Sequence, residues 1–493
     1  MKIADLMQSS GVAFGTSGAR GTVEAMSNDL CYVYTRAFLQ AMQAGNVIQP
    51  GSAVVLAGDL RASTPRILTA VARAVEDAGY QMIYAGMVPT PAVTFYAMQQ
   101  GAASIMVTGS HIPDDRNGIK FNRPDGEILK ADENRIREER VNIPYPFPEI
   151  SENALPDVSP AVAELYLDRY TRFLPEGCLE DACVGIYEHS GVARDLLPKI
   201  LEQLGAKVTR LGRSDSFIPV DTEAVREEDV RLGQQWSDEY GFDAVVSTDG
   251  DADRPLVADE QGKWLRGDIV GVLCARFMGI DKLATPVSSN TLVEACGWFD
   301  QVHRTRIGSP YVIEQMNRLL LNNQGRVAGY EANGGFLLAS DVTIDGRTMK
   351  ALPTRDAVLP ILSILVSAKQ QGCPVSGLVD TLPGRYTASG RLQNFPTDLS
   401  AARISALSDS TPDIEQVFGK LCGNVTLLDT TDGLRISFEN EEIIHLRPSG
   451  NASELRCYNE ASSPERAQEL NQACLAVLAG WRCTGGARGR GHA

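Results

Sequence analysis

The sequence predicts an α/β protein: three similar mixed α/β domains and a C-terminal α+β domain around a central cleft. Three observations carry that reading. Apolar, strand-like runs alternate with helical periodicity along the first three quarters of the chain. The alternation restarts twice, and each time an apolar run ends in a charged or glycine-rich loop. After about Ser376 it gives way to short strands and one closing helix. A chain of 493 residues is too long for one hydrophobic core. Repeats of one plan, each presenting a polar loop, imply homologous domains sharing a cleft.

In chain order, the first polar island is Gly15–Gly21, GTSGARG. Its glycines let backbone amides approach an anion closely. It lacks the Lys-Ser/Thr of a P-loop and the GxGxxG spacing, and a tight turn explains it equally well. Ala53–Ala57 reads as a strand ending in Gly58-Asp59-Leu60-Arg61. A helix follows from Thr64, with Pro65 in its first turn and an apolar stripe Ile67, Leu68, Val71, Val75, closed by Gly79. Gln81–Ala85 is a second strand. Ala102–Val107 is a third, and it runs into Thr108–Phe121, TGSHIPDDRNGIKF. A strand that ends in Gly109, Ser110 and His111 has the form of a reactive loop at the carboxyl edge of a sheet, or of a polar surface turn. Strand–helix–strand order predicts parallel pairing.

The second unit repeats this plan. Cys183–Tyr187 is a strand, a helix carries Leu196 to Leu204, Lys207–Leu211 is a strand, and Phe242–Ser247 delivers STDGDADRP. The third begins at Pro286–Ser289, continues through a helix at Tyr311–Leu321, and ends with Arg326–Gly329 running into GYEANGG. The last region has strands near Val425–Leu428 and Leu434–Phe438, a helix Pro464–Leu478, and its own loop RPSGNASE at Arg447–Glu454. Pro144–Pro148, PYPFP, marks the first boundary. The expected domains are 1–150, 151–258, 259–375 and 376–482, with a Gly/Arg-rich flexible tail at 483–493.

Composition narrows the function classes. A net charge of −16 argues against non-specific nucleic-acid binding but not against small phosphorylated ligands. The ten cysteines are scattered without a CxxC, as expected of reduced thiols in a cytoplasmic protein. The N-terminal stretch has no apolar core of signal-peptide length, and no run is long enough for a membrane helix.

The DGDADR loop holds the sharpest chemistry. Asp249, Asp251 and Asp253 alternate, and in an extended segment alternate residues share a face. So much like charge is costly unless a hard cation binds, and oxygen ligands suit magnesium or calcium. An EF-hand is excluded: Glu260 falls at loop position twelve, but position six is Arg254 rather than Gly and a strand precedes the loop. A solvated acidic turn is the plain alternative. In Gly329–Gly335, Glu331 and Asn333 offer a carboxylate and an amide that can hydrogen-bond vicinal hydroxyls; a Gly-rich turn fits as well. Arg447, Ser449, Gly450, Asn451 and Ser453 form a phosphate-binding set of residue types.

Together these residues resemble the α-D-phosphohexomutase family. GTSGARG, TGSHIP, DGDADR, the Gly-Glu-bearing loop and RPSG occur in that family's order across nearly the whole chain. The resemblance implies a mutase that interconverts a hexose 6-phosphate and a hexose 1-phosphate, mannose or glucose first. The reaction would run through a phosphoserine at Ser110 and a hexose 1,6-bisphosphate that also serves as activator. It implies Mg2+ on Ser110, Asp249, Asp251 and Asp253, and Arg20, His111 and Lys120 in proton transfer and charge stabilisation. It implies Arg254, Glu331, Asn333 and Gly308 on the sugar side, and Arg447, Ser449, Gly450 and Asn451 on the standing phosphate. Arg304 and Arg306, beside the TRIGS loop Thr305–Ser309, would assist. A hinge is expected near Gly372–Gly384 so that the site can close against water.

The sequence departs from the family pattern at named points. Gly109 stands where Ala is common, Ile112 where Asn is, Asn333 where Ser is, and Asn451-Ala452 where Thr-Glu is. An N-acetylglucosamine or glucosamine phosphate mutase is the runner-up enzyme. A turnover-deficient sugar-phosphate-binding homologue and a phosphatase with an aspartyl nucleophile on DGDAD also stay open. No heptad run marks a dimer seam, so the oligomeric state is open.

Overall fold

The computed structural model describes residues 2–15, 18–142, 155–321, 325–449 and 453–482. The PYPFP link, the C-terminal tail, and Gly450 and Asn451 lie outside them. The architecture is the expected α/β one; the described residues form four sheets of four strands or more and a separate two-stranded ribbon. The chain divides into two compact units: 1–284, 299–303 and 308–381, and 285–298, 304–307 and 382–493.

In the first unit, one plan recurs three times. Ala53–Gly58 pairs in parallel with Gln81–Tyr84 and with Ala103–Val107. Ala103–Val107 then pairs antiparallel with the returning strand Arg116–Arg123. Cys183–Tyr187 pairs in parallel with Lys207–Leu211 and Ala244–Thr248, and the latter antiparallel with Pro255–Ala258. Val327–Tyr330 pairs in parallel at Lys282–Ala284 and antiparallel with Phe336–Leu338. Each polar loop therefore joins an inner parallel strand to an antiparallel return. The sheets are mixed because a short loop can only turn the chain back beside itself.

The inner strands are buried at every position, as strands covered on both faces must be. Helix Thr64–Asp77 begins with Pro65 in its first turn, and Ile67, Leu68, Val71 and Val75 are all fully buried. Phe121, on the return strand, stacks on Phe38 with ring centroids 4.7 Å apart. Helix Val358–Gln371 has an almost wholly buried middle and stops at Gly372, whose φ of 61° is left-handed. The third repeat starts earlier than expected: its first strand is Lys282–Pro286, and Pro286 ends it. Lys282 and Thr285 interrupt the apolar signal there.

The second unit carries a five-stranded antiparallel sheet in the order Tyr386–Gln393, Glu454–Ala461, Ile443–Pro448, Leu434–Phe438, Val425–Asp429. Helix Pro464–Ala479 packs on it through Leu470, Cys474 and Leu478. The nine described cysteines are free thiols. Among the described residues, no helix is long and apolar enough to cross a membrane.

Candidate active site

Ser110 sits in the turn between Ala103–Val107 and Arg116–Arg123, fully buried, with a left-handed φ of 56°. Such a backbone costs a non-glycine residue on the order of 1 kcal/mol and persists only where its surroundings impose it. Here they do. The Thr108 hydroxyl accepts the Ser110 N–H at 2.8 Å. Asp59 accepts from the Thr108 and Thr64 hydroxyls and from the Gly109 N–H. The Ser110 hydroxyl is thereby aimed at Asp249, to which it donates at 2.6 Å, with His111 Nδ1 at 3.3 Å.

Asp249, Asp251 and Asp253 do converge, with one ligand atom from each within 4.8 Å of the others. They do so on a tight turn and not on an extended segment. Ala252 has a φ of 58°, its N–H bonds the Asp249 carbonyl, and the Asp249 N–H bonds the Arg254 carbonyl. A six-residue loop between antiparallel strands has no room to extend. All three carboxylates are at most 1% exposed. Asp251 Oδ1 and Asp253 Oδ1 are buried with no hydrogen-bond partner. Burial and its two acidic neighbours push the Asp249 carboxyl well above the usual carboxylate range. Three converging buried carboxylates, two of them with an oxygen that lacks a hydrogen bond, beside a hydroxyl, fit a hard divalent cation.

Cations surround this cluster. Lys120, on the return strand, donates to Asp251 Oδ2 and Asp253 Oδ2, each at 2.6 Å. Burial opposes its charge, but Asp251 and Asp253 outweigh it and hold the ammonium above its ordinary value. Asp253 is likewise opposed by burial yet held far below its ordinary value by Arg355, Lys120 and Arg254. Arg254 Nη1 lies 2.9 Å from His111 Nδ1. Burial, then Arg254 and Arg20, push His111 well below its usual range, so its imidazole is neutral. Arg20 stands opposite Gly118 in the strand register. Burial and the nearby Arg254 lower its guanidinium to about 10. The structure thus gathers Ser110, His111, Lys120, Arg20, Arg254 and the three aspartates.

Glu331 joins them through Arg355, a residue that sequence patterns do not single out. Arg355 donates from Nε and Nη2 to Asp253 Oδ2, at 3.0 and 2.8 Å, and from Nη1 to Glu331 Oε2 at 2.8 Å. Arg355 lies near the end of the strand Leu352–Asp356 and is 2% exposed. Its one signal is a charged pair, Arg355-Asp356, between two apolar runs. Thr90 escapes sequence reasoning as well; its N–H and hydroxyl bind the carbonyl and Oδ2 of Asp251. The Asn333 side-chain oxygen accepts the Gly335 N–H at 3.0 Å, which fixes the amide's orientation. Gly308, with a φ of 128°, precedes helix Ser309–Leu320, and the Ser309 hydroxyl binds Glu127 at 2.7 Å.

In the second unit, Arg447 Nε binds Asp432 at 3.0 Å, and the other Asp432 oxygen accepts the Ile307 N–H at 2.9 Å. The Ser449 N–H binds the Glu454 carbonyl. Arg304, expected to assist with substrate, is committed to Glu294 and to the carbonyls of Pro286, Ser289 and Asn290.

Four family models match the chain in order, those of phosphoglucomutase/phosphomannomutase α/β/α domains I, II and III and of the C-terminal domain. They cover residues 11–143, 168–262, 266–386 and 401–477. The chain belongs to the α-D-phosphohexomutase family. A phosphomannomutase of Salmonella muenchen is 45% identical over 96% of this chain and 97% of its own. A phosphomannomutase of Sinorhizobium fredii is 43% identical over 95% and 99%. A crystal structure of a phosphoglucomutase/phosphomannomutase family protein from Burkholderia thailandensis superposes with a TM-score of 0.72 at 19% identity, covering 95% of this chain and 98% of that one. The phosphohexomutase is therefore an enzyme that relocates a phosphoryl group on a hexose phosphate.

Proposed function

We propose that this phosphohexomutase interconverts mannose 6-phosphate and mannose 1-phosphate, with glucose phosphates as further substrates, through a phosphorylated Ser110. The observation that carries the reading is the Ser110 hydroxyl, held 2.6 Å from a carboxylate of a buried triaspartate cluster. A serine phosphate is a good donor only where its charge is neutralised. The relatives from Salmonella muenchen and Sinorhizobium fredii, both phosphomannomutases, support mannose as the first substrate.

Asp249, Asp251, Asp253 and the Ser110 oxygen would hold Mg2+. That ion, when bound, supplies positive charge to the phosphoryl oxygens as charge shifts in transfer. The remaining work falls to the chain. Arg20 and Arg254 add fixed charge beside the Ser110 loop, which a dry site makes effective. Lys120 holds Asp251 and Asp253 in place and is a cation close to the transferred group. His111, beside the Ser110 oxygen, assists proton transfer at that oxygen together with Lys120 and Arg20. Glu331 and the Asn333 amide hold sugar hydroxyls near Gly308. Arg447, Ser449, Gly450 and Asn451 grip the phosphate that is not in transfer. The hexose 1,6-bisphosphate so formed turns over and returns its other phosphoryl group to Ser110; added bisphosphate primes the serine.

A coupled mutase assay on the 1-phosphates of mannose, glucose and N-acetylglucosamine, with mass spectrometry of the Ser110 peptide, tests the reading. Highest kcat/KM for mannose 1-phosphate and an added phosphate on that peptide are expected. Preference for the acetylamino sugar would overturn the substrate assignment. Phosphate release without isomerisation would overturn the mutase mechanism.

A further inference from the structure

The Ser110 loop rests on a buried cation that no part of the phosphoryl chemistry requires. Arg61 follows the strand Ala53–Gly58 and is 1% exposed. Its Nη2 donates to the Ser110 carbonyl at 2.8 Å and to the Ile112 carbonyl at 2.7 Å. Its guanidinium lies 3.7 Å from the centroid of the Phe217 ring and 3.3 Å from Asp59. These contacts pin the guanidinium plane on several sides.

Gly109 gives a second, independent observation. A Cβ built there would lie 2.5 Å from Arg61 Nε and 2.7 Å from its Cζ and Nη2, and these are the three nearest atoms. The φ of Gly109 is not left-handed. The backbone would therefore accept alanine, and the obstacle is the Arg61 guanidinium. Gly109 thus leaves space for the same side chain that binds the backbone carbonyls of residues 110 and 112.

We propose that Arg61 is a positioning residue for the phosphoryl-carrying serine, and that Gly109 is retained to admit it. This rests on the reading of Ser110 as the phosphoryl carrier. Arg61 holds the carbonyl of Ser110 while Asp59 and Thr108 hold the amides of Gly109 and Ser110. The loop is thereby fixed from both sides in its left-handed turn, and the hydroxyl keeps its direction toward Asp249.

A double-mutant cycle on the full-length enzyme tests this. Arg61→Met should lower kcat about a hundredfold, the scale of a misplacement of roughly 1 Å, with the KM for hexose phosphate changed by less than about twofold. Arg61→Lys, which keeps the charge but loses the planar fork, should recover only part of kcat. Gly109→Ala should lower kcat comparably while the enzyme stays folded at the assay temperature, as read from circular dichroism. Added to Arg61→Met, it should cost far less than in the wild-type background, because a methionine end with no hydrogen bonds to hold it can swing away from the new methyl group. Additive losses in the cycle would overturn the pairing, and so would a Gly109→Ala enzyme with wild-type kcat. If Arg61→Met does not fold, Gly109→Ala decides alone by the same criterion. Absence of phosphate on the wild-type Ser110 peptide during turnover would instead overturn the carrier reading, with the cycle still reporting on Arg61.

Discussion

Arg355 shows how single residues decide this site. Its one guanidinium ties the aspartate loop to the Glu331 loop through three hydrogen bonds. It leaves Asp253 Oδ1 and Glu331 Oε1 for ligands. Removing one partner of a buried charge network leaves the others uncompensated. Arg355→Met should therefore destabilise the fold by about 3–5 kcal/mol in urea unfolding. Arg355→Lys should recover less than half of that loss, because an ammonium cannot bridge both carboxylates with the same fork. Recovery to wild type by lysine would show that charge alone suffices. Neither Arg355 nor Arg61 is legible as a site residue in the sequence. Each is an arginine at or just past a strand end, and its meaning comes from partners far along the chain: Asp253 is 102 residues from Arg355. Ser110, the aspartates and Lys120 are legible because they cluster within short polar runs after apolar ones.

At the scale of elements, the recurring unit is an inner parallel strand, a polar loop and an antiparallel return. The return strand explains why Lys120 belongs to the site: it pairs with Met106, just before the Ser110 loop. The same strand is anchored by Phe121, which is 2% exposed and stacked on Phe38. Phe121→Ala should cost about 3–5 kcal/mol in stability and leave an enzyme with near-normal KM wherever it remains folded. A loss under about 1 kcal/mol in urea unfolding, well below the usual cost of truncating a buried Phe, would mean that the return strand is not anchored there. The inner strands are legible from their continuous apolar runs. The returns are not, because Arg116–Arg123 carries Arg, Asn and Lys among its apolar residues. The tight turn of DGDADR also escapes the sequence: alternation of Asp suits an extended reading, and the turn needs Ala252 in a left-handed conformation that its residue type does not announce.

For the whole molecule, the two units differ in kind. The first repeats a mixed sheet three times, and the second is one antiparallel sheet with helices. The chain passes from Thr381 in the first to Leu382 in the second, within the Gly372–Gly384 span proposed as a hinge. A cation bound at the triaspartate cluster should stabilise the fold. With Mg2+ at about a hundred times its dissociation constant, the folded state should gain about 2.7 kcal/mol, read as a rise in melting temperature. Chelation should reverse that rise and end turnover, and Asp251→Asn should abolish the Mg2+-dependent part of the shift. An equal shift in that variant would place the ion elsewhere.

The central claim is that Ser110 carries the phosphoryl group. Its most direct test is turnover of hexose 1-phosphate by Ser110→Ala, with hexose bisphosphate and Mg2+ present and the fold checked by circular dichroism. The hydroxyl is a single buried group hydrogen-bonded to Asp249, so the variant should fold. It should show no measurable mutase activity, and its peptide over this loop should gain no phosphate. Wild-type-like isomerisation by Ser110→Ala would contradict the account.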